Sequence, residues 1–173
     1  LYERGQLKLE HPVSRYFPGF MGEGRDKITI RHLLTHTSGL PAHLPLYKDL
    51  KGKTAFVEKI HQVPLESTPG TKTVYSDLGL ILLGDIIEKL AAQSLDQLAA
   101  TRIFQPLAMK HTFFKPKPQW KKMIAPTEND PWRGRLLRGE VHDENAFAMG
   151  GVSAHAGLFG DTGDLAIFCQ MLL

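Results

Sequence analysis

A single cysteine, Cys169, stands among the 173 residues, so no internal disulfide braces this chain and its fold must be held by packing. Its neighbours in AIFCQMLL make it read as a small buried apolar group rather than a nucleophile. No run of 18 apolar residues occurs and no signal-peptide pattern is present, so no segment reads as a membrane span or an export address. A long block of one charge is missing too. The net charge of +3 and pI near 9.0 arise from Lys and Arg interspersed with Asp and Glu, which argues against a nucleic-acid partner. The densest basic part, KPKPQWKK at 115–122, followed by Arg133, Arg135 and Arg138, reads from its prolines as an extended solvated loop. Strand signals are scarce: HTFFK at 111–115 and GLFG at 157–160 are the short candidates, and neither has a hairpin partner in sequence.

What is present suits one globular domain with a real core, at 42% hydrophobic and 23% charged residues. The chain reads as mainly helical, with start signals at Thr29 before IRHLLTH, Thr54 before AFVEKIHQ, Ser94 before LDQLAATRIF with Gln97 completing a capping box, and Thr162 before GDLAIFCQMLL. The longest helix is predicted from about Ser76 to Ala91. There Leu78, Ile81, Leu82, Ile86 and Leu90 recur at three- and four-residue steps, and the apolar surface nearly all round makes the helix central. LYERGQLKLEHPV reads as the last turn of a helix closed by Gly5, and the apolar pattern over 168–173 stops without a cap. A chain that starts and stops inside a longer protein is therefore expected. The long stretch 116–154, rich in Pro, Gly and charge, is expected to face a partner or substrate.

Chemistry concentrates where PGTKTVYSDLGLILLGDII passes from polar turn to apolar helix. Tyr75 sits at that seam, with Ser76 and Asp77 behind it. A phenol, of ordinary pKa about 10, serves as a general base near neutrality only where nearby cations and N–H dipoles favour the phenolate. On the local sequence alone, a tyrosine anchoring a helix start is the competing reading. His36, Thr37, Ser38 and Gly39 carry no Gly-x-Ser-x-Gly elbow and read as a helix C-terminus closed by Gly39. His142, Asp143 and Glu144, with His155 further on, lack the HExxH spacing of a zinc helix. They are expected to carry polar groups toward a substrate, with charges satisfied by Arg133, Arg135 or Arg138, and no metal is expected.

Four segments in order, ITIRHLLTHTSGLP at 28–41, PGTKTVYSDLGLILLGDIIEKL at 69–90, FQPLAMKHTFF at 104–114 and GGVSAHAGLFGDTGDLAIFCQMLL at 150–173, resemble the serine hydrolase family of class C β-lactamases and penicillin-binding proteins. VHDENAFAMGGVSAHAGLF at 141–159 is most similar to its carboxypeptidase and esterase-like branch. The resemblance covers essentially the whole chain. It implies the helical lobe of the β-lactamase/transpeptidase-like α/β fold, mainly α with little or no sheet of its own, as a single partial domain over 1–173 lacking the N-terminal and C-terminal sheet segments. Tyr75, Ser76 and Asp77 match the family's Tyr-x-Asn motif with Asp in place of Asn. By that match Tyr75 and Asp77 are expected to be catalytic, and Ser76, His142, Asp143 and His155 to contact substrate.

The family's nucleophile lies in a Ser-x-x-Lys motif, yet none of Ser14, Ser38, Ser67, Ser76, Ser94 and Ser153 has Lys three residues later, and no Lys-Thr-Gly occurs. His155-Ala156-Gly157 spells the family's His-x-Gly but precedes the last helix instead of following it. The expectation is therefore a piece of a serine hydrolase that forms an acyl-enzyme on D-amino acid peptides, esters or β-lactams, inactive by itself. The alternative is a non-catalytic helical module binding a peptide or envelope polymer. The resemblance implies no cofactor, a small-molecule or peptidoglycan-type substrate, and a periplasmic or extracellular parent. Asp77 departs from the lactamase pattern, because an amide both donates and accepts whereas a carboxylate only accepts and would pair with a lysine. Ala92, Ala108 and Ala154 stand where relatives commonly carry Gly. Each costs stability only if its backbone needs positive φ.

Overall fold

A computed structural model describes all residues 1–173, and its contacts group them into two compact units, 1–92 and 93–173. In the first unit α1 (Ile30–Leu34), α2 (Lys53–Ile60) and α3 (Asp77–Ala91) pack together, with α3 touching both others. The spacing predicted for α3 is met. Leu78, Ile81, Leu82 and Ile86 are buried against Ile30 and Leu33 of α1 and Phe56 and Ile60 of α2, all at 2% exposure or less. Burying each such side chain stabilises the unit by about 1.5–3 kcal/mol. The outer face of α3 is polar, where Lys89 pairs with Asp85 at 2.9 Å, one helical turn away. Ahead of α1, short 3-10 turns at Val13–Arg15 and Arg25–Lys27 bring Val13, Phe17 and Phe20 into the same core, and a lone bridge joins Pro12 to Thr29.

The second unit carries α4 (Leu95–Ala99), which runs on into a π turn at Ala100–Phe104, then α5 (Glu144–Ala148) and α6 (Thr162–Leu172). Two two-stranded antiparallel ribbons accompany them. β1 (Phe113–Phe114) pairs with β4 (Leu158–Phe159), Phe113 opposite Phe159, and β2 (Asn129–Asp130) pairs with β3 (Arg135–Leu136). The two strand candidates in the sequence are thus each other's partners, joined across more than forty residues. Asp164 ties them to α6, because its buried carboxylate accepts from the His111 N–H at 2.7 Å and the Thr112 hydroxyl at 2.8 Å. No helix is long and apolar enough to cross a membrane. The chain is mainly helical with only these small ribbons, as the resemblance implied.

Three predicted caps are corrected. α2 starts behind Gly52 at φ +81°, so Thr54 lies inside the helix. α6 is capped by Asp161, whose carboxylate accepts from the Asp164 N–H at 2.8 Å, one residue earlier than Thr162. Ser94 precedes α4 as expected, but its hydroxyl bonds to Asp96 at 2.6 Å and makes no cap, so the box with Gln97 does not close. A carboxylate accepts a backbone N–H more strongly than a neutral hydroxyl does, which favours Asp161 over its neighbour. Cys169 is exposed, not buried: α6 buries only Asp164 and leaves Leu165, Ile167, Met171 and Leu172 at the surface.

Candidate active site

The first unit builds a rigid seam around Tyr75. α1 ends at Leu34, and the residues after it leave the helix through His36, which holds the left-handed φ of +55° rare outside glycine. Residues 36–42 then run beside residues 66–77, joined rung by rung. Glu66 N–H donates to Gly39 O at 2.8 Å, Gly70 N–H to Thr37 O at 2.8 Å, Val74 N–H to His36 O at 2.8 Å, and Asp77 N–H to Ala42 O at 2.9 Å. The approach is close enough that a Cβ on Gly39, at φ +81°, would lie 2.1 Å from the Ser67 carbonyl oxygen. HTSGLPA is therefore more than a helix ending: it is the strap that holds the turn in front of α3.

On that strap Tyr75 is 64% exposed, with the His36 imidazole tilted 36° against its ring at 4.5 Å between centroids. Ser76 turns the other way. It is 1% exposed, its hydroxyl donates to Pro41 O at 2.6 Å and accepts from the Gly79 N–H at 3.4 Å, and it thereby caps α3. Its N–H donates to His36 Nδ1 at 3.1 Å. Asp77, in the first helical turn where a negative charge suits the helix dipole, pairs with His43 Nδ1 at 3.1 Å, an imidazole in the place where the sequence suggested a lysine. The structure thus brings Tyr75, Ser76 and Asp77 together with His36 and His43. Neither histidine stood out in sequence as a partner of this motif. The signal available for His36 was an imidazole just past a short helix.

The second unit holds the remaining expected residues. A cleft of about 830 Å³ is lined by the rings of Phe113, Trp120 and Phe159 and by His142 and Asp143. Trp120 leans on Phe113 at 4.6 Å and on His111 at 5.9 Å. Asp143 caps α5 through the Ala146 N–H at 2.7 Å and takes a hydrogen bond with His155 Nε2 at 2.9 Å. The other nitrogen of that ring meets the Ser153 hydroxyl at 2.7 Å. His155 itself is enclosed, its side chain 1% exposed, and stands behind Asp143 rather than on the cleft wall. His142 on the cleft wall pairs through Nε2 with Glu128 at 3.2 Å. His142, Asp143, Glu144 and His155 accordingly do not converge as metal ligands. The three side chains that do approach within 4.8 Å, His111, Asp161 and Asp164, are the knot that caps α6.

Arg133 supports the loop in front of the cleft, donating to the carbonyls of Val141, at 2.7 Å, and His142 while it pairs with buried Asp130. Burial alone would raise the Asp130 carboxyl, but hydrogen bonds from the Arg133 side chain and from the Arg133 and Trp132 N–H groups outweigh it and hold the group below its ordinary value. Glu140 is likewise held down by Arg135, which meets it through two nitrogens at 2.7 and 3.0 Å. The carboxylates that Arg133 and Arg135 meet are thus Asp130 and Glu140, ahead of the 142–144 segment for which the sequence suggested them.

Comparison with known proteins adds the following. The profile of the family described as Beta-lactamase matches residues 1–173. A protein of Salmonella typhi named "Putative D-alanyl-D-alanine carboxypeptidase" is 40% identical over 201 residues, covering 100% of this chain and 46% of its own length. The "N-acetylmuramyl-L-alanine amidase" of Bacillus subtilis is 38% identical, covering 100% of this chain and 45% of its own length. Among solved structures, an octameric penicillin-binding protein homologue from Pyrococcus abyssi superposes with a TM-score of 0.70 at 26% identity over 99% of this chain and 40% of its own. A class C beta-lactamase gives 0.77 at 25% identity over 96% and 44%. The chain spans about half the length of the curated relatives it matches.

Proposed function

Since this chain belongs to the Beta-lactamase family, we propose that it is the tyrosine-bearing part of a serine hydrolase that works through an acyl-enzyme on peptidoglycan-type peptides ending in D-amino acids. The observation that carries the reading is the Tyr75 ring, exposed at the mouth of a strapped seam and directly followed by a buried cap and a paired carboxylate. Tyr75 is the general base. It takes the proton of a serine hydroxyl supplied from outside residues 1–173 as that oxygen forms its bond to the substrate carbonyl carbon, and returns it to the amine as the C–N bond breaks. Water then hydrolyses the ester and frees the serine. Asp77 holds His43 and fixes the polar edge beside the phenol. His142 and Asp143 make the substrate contacts of the second unit, with His155 and Ser153 bracing Asp143 from behind. Ser76, enclosed as a cap, supports the site through the backbone rather than by touching substrate. An envelope location accords with the names of the carboxypeptidase and amidase relatives.

The test is Tyr75→Phe in the full-length protein, measured as acylation by a fluorescent penicillin and as hydrolysis of a D-alanyl-D-alanine peptide. Loss of a general base removes roughly 10²–10⁴ in rate. A Phe variant within threefold of the parent rate would end the proposal. Residues 1–173 alone should form no adduct, because no serine here precedes a lysine by three positions. That same absence favours the second reading for the chain by itself, a binding module without chemistry, and stoichiometric acylation of residues 1–173 would refute both.

A further inference from the structure

Residue 36 holds the peptide on both sides of Tyr75. Its carbonyl accepts from the Val74 N–H at 2.8 Å, its Nδ1 accepts from the Ser76 N–H at 3.1 Å, and its ring lies against the phenol at 4.5 Å. It does this from a backbone conformation, φ +55°, that costs a residue bearing a Cβ and that glycine or asparagine would adopt more easily. Strain kept at a residue whose three contacts all converge on one neighbour marks that neighbour as the thing being placed. An imidazole whose Nδ1 accepts from an amide presents its only ring proton at Nε2, so the ring meets the phenol as an uncharged, flat surface.

We propose that His36 is a positioning residue for Tyr75: it clasps the peptide on either side of the tyrosine and backs the phenol with its ring, so that the hydroxyl stands in one place. The inference rests on Tyr75 being the base. A phenol that swings freely on a two-bond side chain reaches the serine proton in only a fraction of its orientations, and misplacement by about 1 Å is enough to cost on the order of 10²-fold in rate.

Two variants separate the contacts. In His36→Asn the side-chain Oδ1 stands the same number of bonds from the backbone as Nδ1 does. The Ser76 hydrogen bond is kept, the left-handed backbone is tolerated and only the ring is lost. In His36→Gly the backbone strain is relieved, while acceptor and ring both go. Neither variant is therefore expected to unfold the protein, and a thermal melt checks this.

The full-length protein should show kcat reduced at least tenfold in H36G with KM changed less than threefold, and H36N recovering at least threefold of that loss. Hydrogen exchange at the Ser76 amide, read by mass spectrometry or NMR, should be slow in the parent and in H36N and at least tenfold faster in H36G. A merely structural role would move the melt and leave kcat alone. H36G with parent kcat, alongside an inactive Tyr75→Phe, would overturn the inference while leaving the base in place. H36N no better than H36G in both kcat and amide exchange would overturn the clasp. A fully active Tyr75→Phe would overturn the reading beneath, and the amide exchange would still report whether the clasp exists.

Discussion

Replacing Ser76 with alanine separates a cap from a substrate contact. The hydroxyl is 1% exposed, donates to the Pro41 carbonyl at 2.6 Å and accepts from the Gly79 N–H at 3.4 Å. Losing the donor leaves a buried carbonyl short of a partner, which costs about 1–3 kcal/mol. The cap bond is long, so its loss belongs near the low end of the capping range, about 0.5 kcal/mol. Together they give a destabilisation of about 1.5–3.5 kcal/mol, or roughly 10- to 400-fold in the folded-to-unfolded ratio. In urea, with a slope of about 2 kcal/mol/M, the unfolding midpoint should fall by about 0.8–1.8 M. Steady-state kinetics under conditions where the variant is still folded should show KM within about twofold of the parent. A midpoint within 0.25 M of the parent (about 0.5 kcal/mol) together with a KM raised tenfold would refute the reasoning and make Ser76 a substrate ligand after all.

Three further outcomes follow from the geometry. Ala92 and Ala108 sit at φ +50° and +56°, whereas Ala154 does not need positive φ, so Ala92→Gly and Ala108→Gly should each stabilise by about 0.5–1 kcal/mol and Ala154→Gly should destabilise by a similar amount, read from thermal melts. Gly39→Ala, with its Cβ 2.1 Å from the Ser67 carbonyl oxygen at φ +81°, should cost more than about 2 kcal/mol and loosen the strap, so both the midpoint and the Tyr75-dependent rate should drop. His61 packs against Phe17 and Phe20 at 4.9 and 5.5 Å with its Nε2 buried and unpartnered. Burial first, and then the Lys89 ammonium, hold its pKa below the ordinary value. The folded state therefore binds this proton less readily than the unfolded chain. Its contribution to stability is full above about pH 6.5 and is lost as pH falls through that value toward the lowered folded one. His61→Phe should remove that slope between pH 7 and pH 5, and equal slopes in parent and variant would refute the assignment.

Local pattern was enough for the elements whose causes are local. The apolar steps of Leu78, Ile81, Leu82 and Ile86 foretold α3 and its central place because a 3.6-residue period needs no knowledge of the partner. Thr29 foretold the start of α1, accepting from the His32 N–H as a cap does. The Tyr75, Ser76 and Asp77 motif could be read as a site because its residues are adjacent. Cap choice between neighbours failed at Thr162 and Thr54, since either residue fits the pattern and packing further along the chain decides which one stands half outside the helix.

Contacts distant in sequence were decided only in three dimensions. Nothing near HTFFK announces that its partner is GLFG, because strands of two residues carry too little pattern to identify one another. Nothing near Tyr75 announces His36 against its ring or His43 beside Asp77, which arrive only once residues 36–42 lie along residues 66–77. The sequence by itself determined which residues could do chemistry, since that is a property of side chains and their immediate neighbours. The tertiary structure decided which of them face solvent, which are spent as caps and which imidazole stands against the phenol, because those outcomes depend on backbone groups brought together across forty residues.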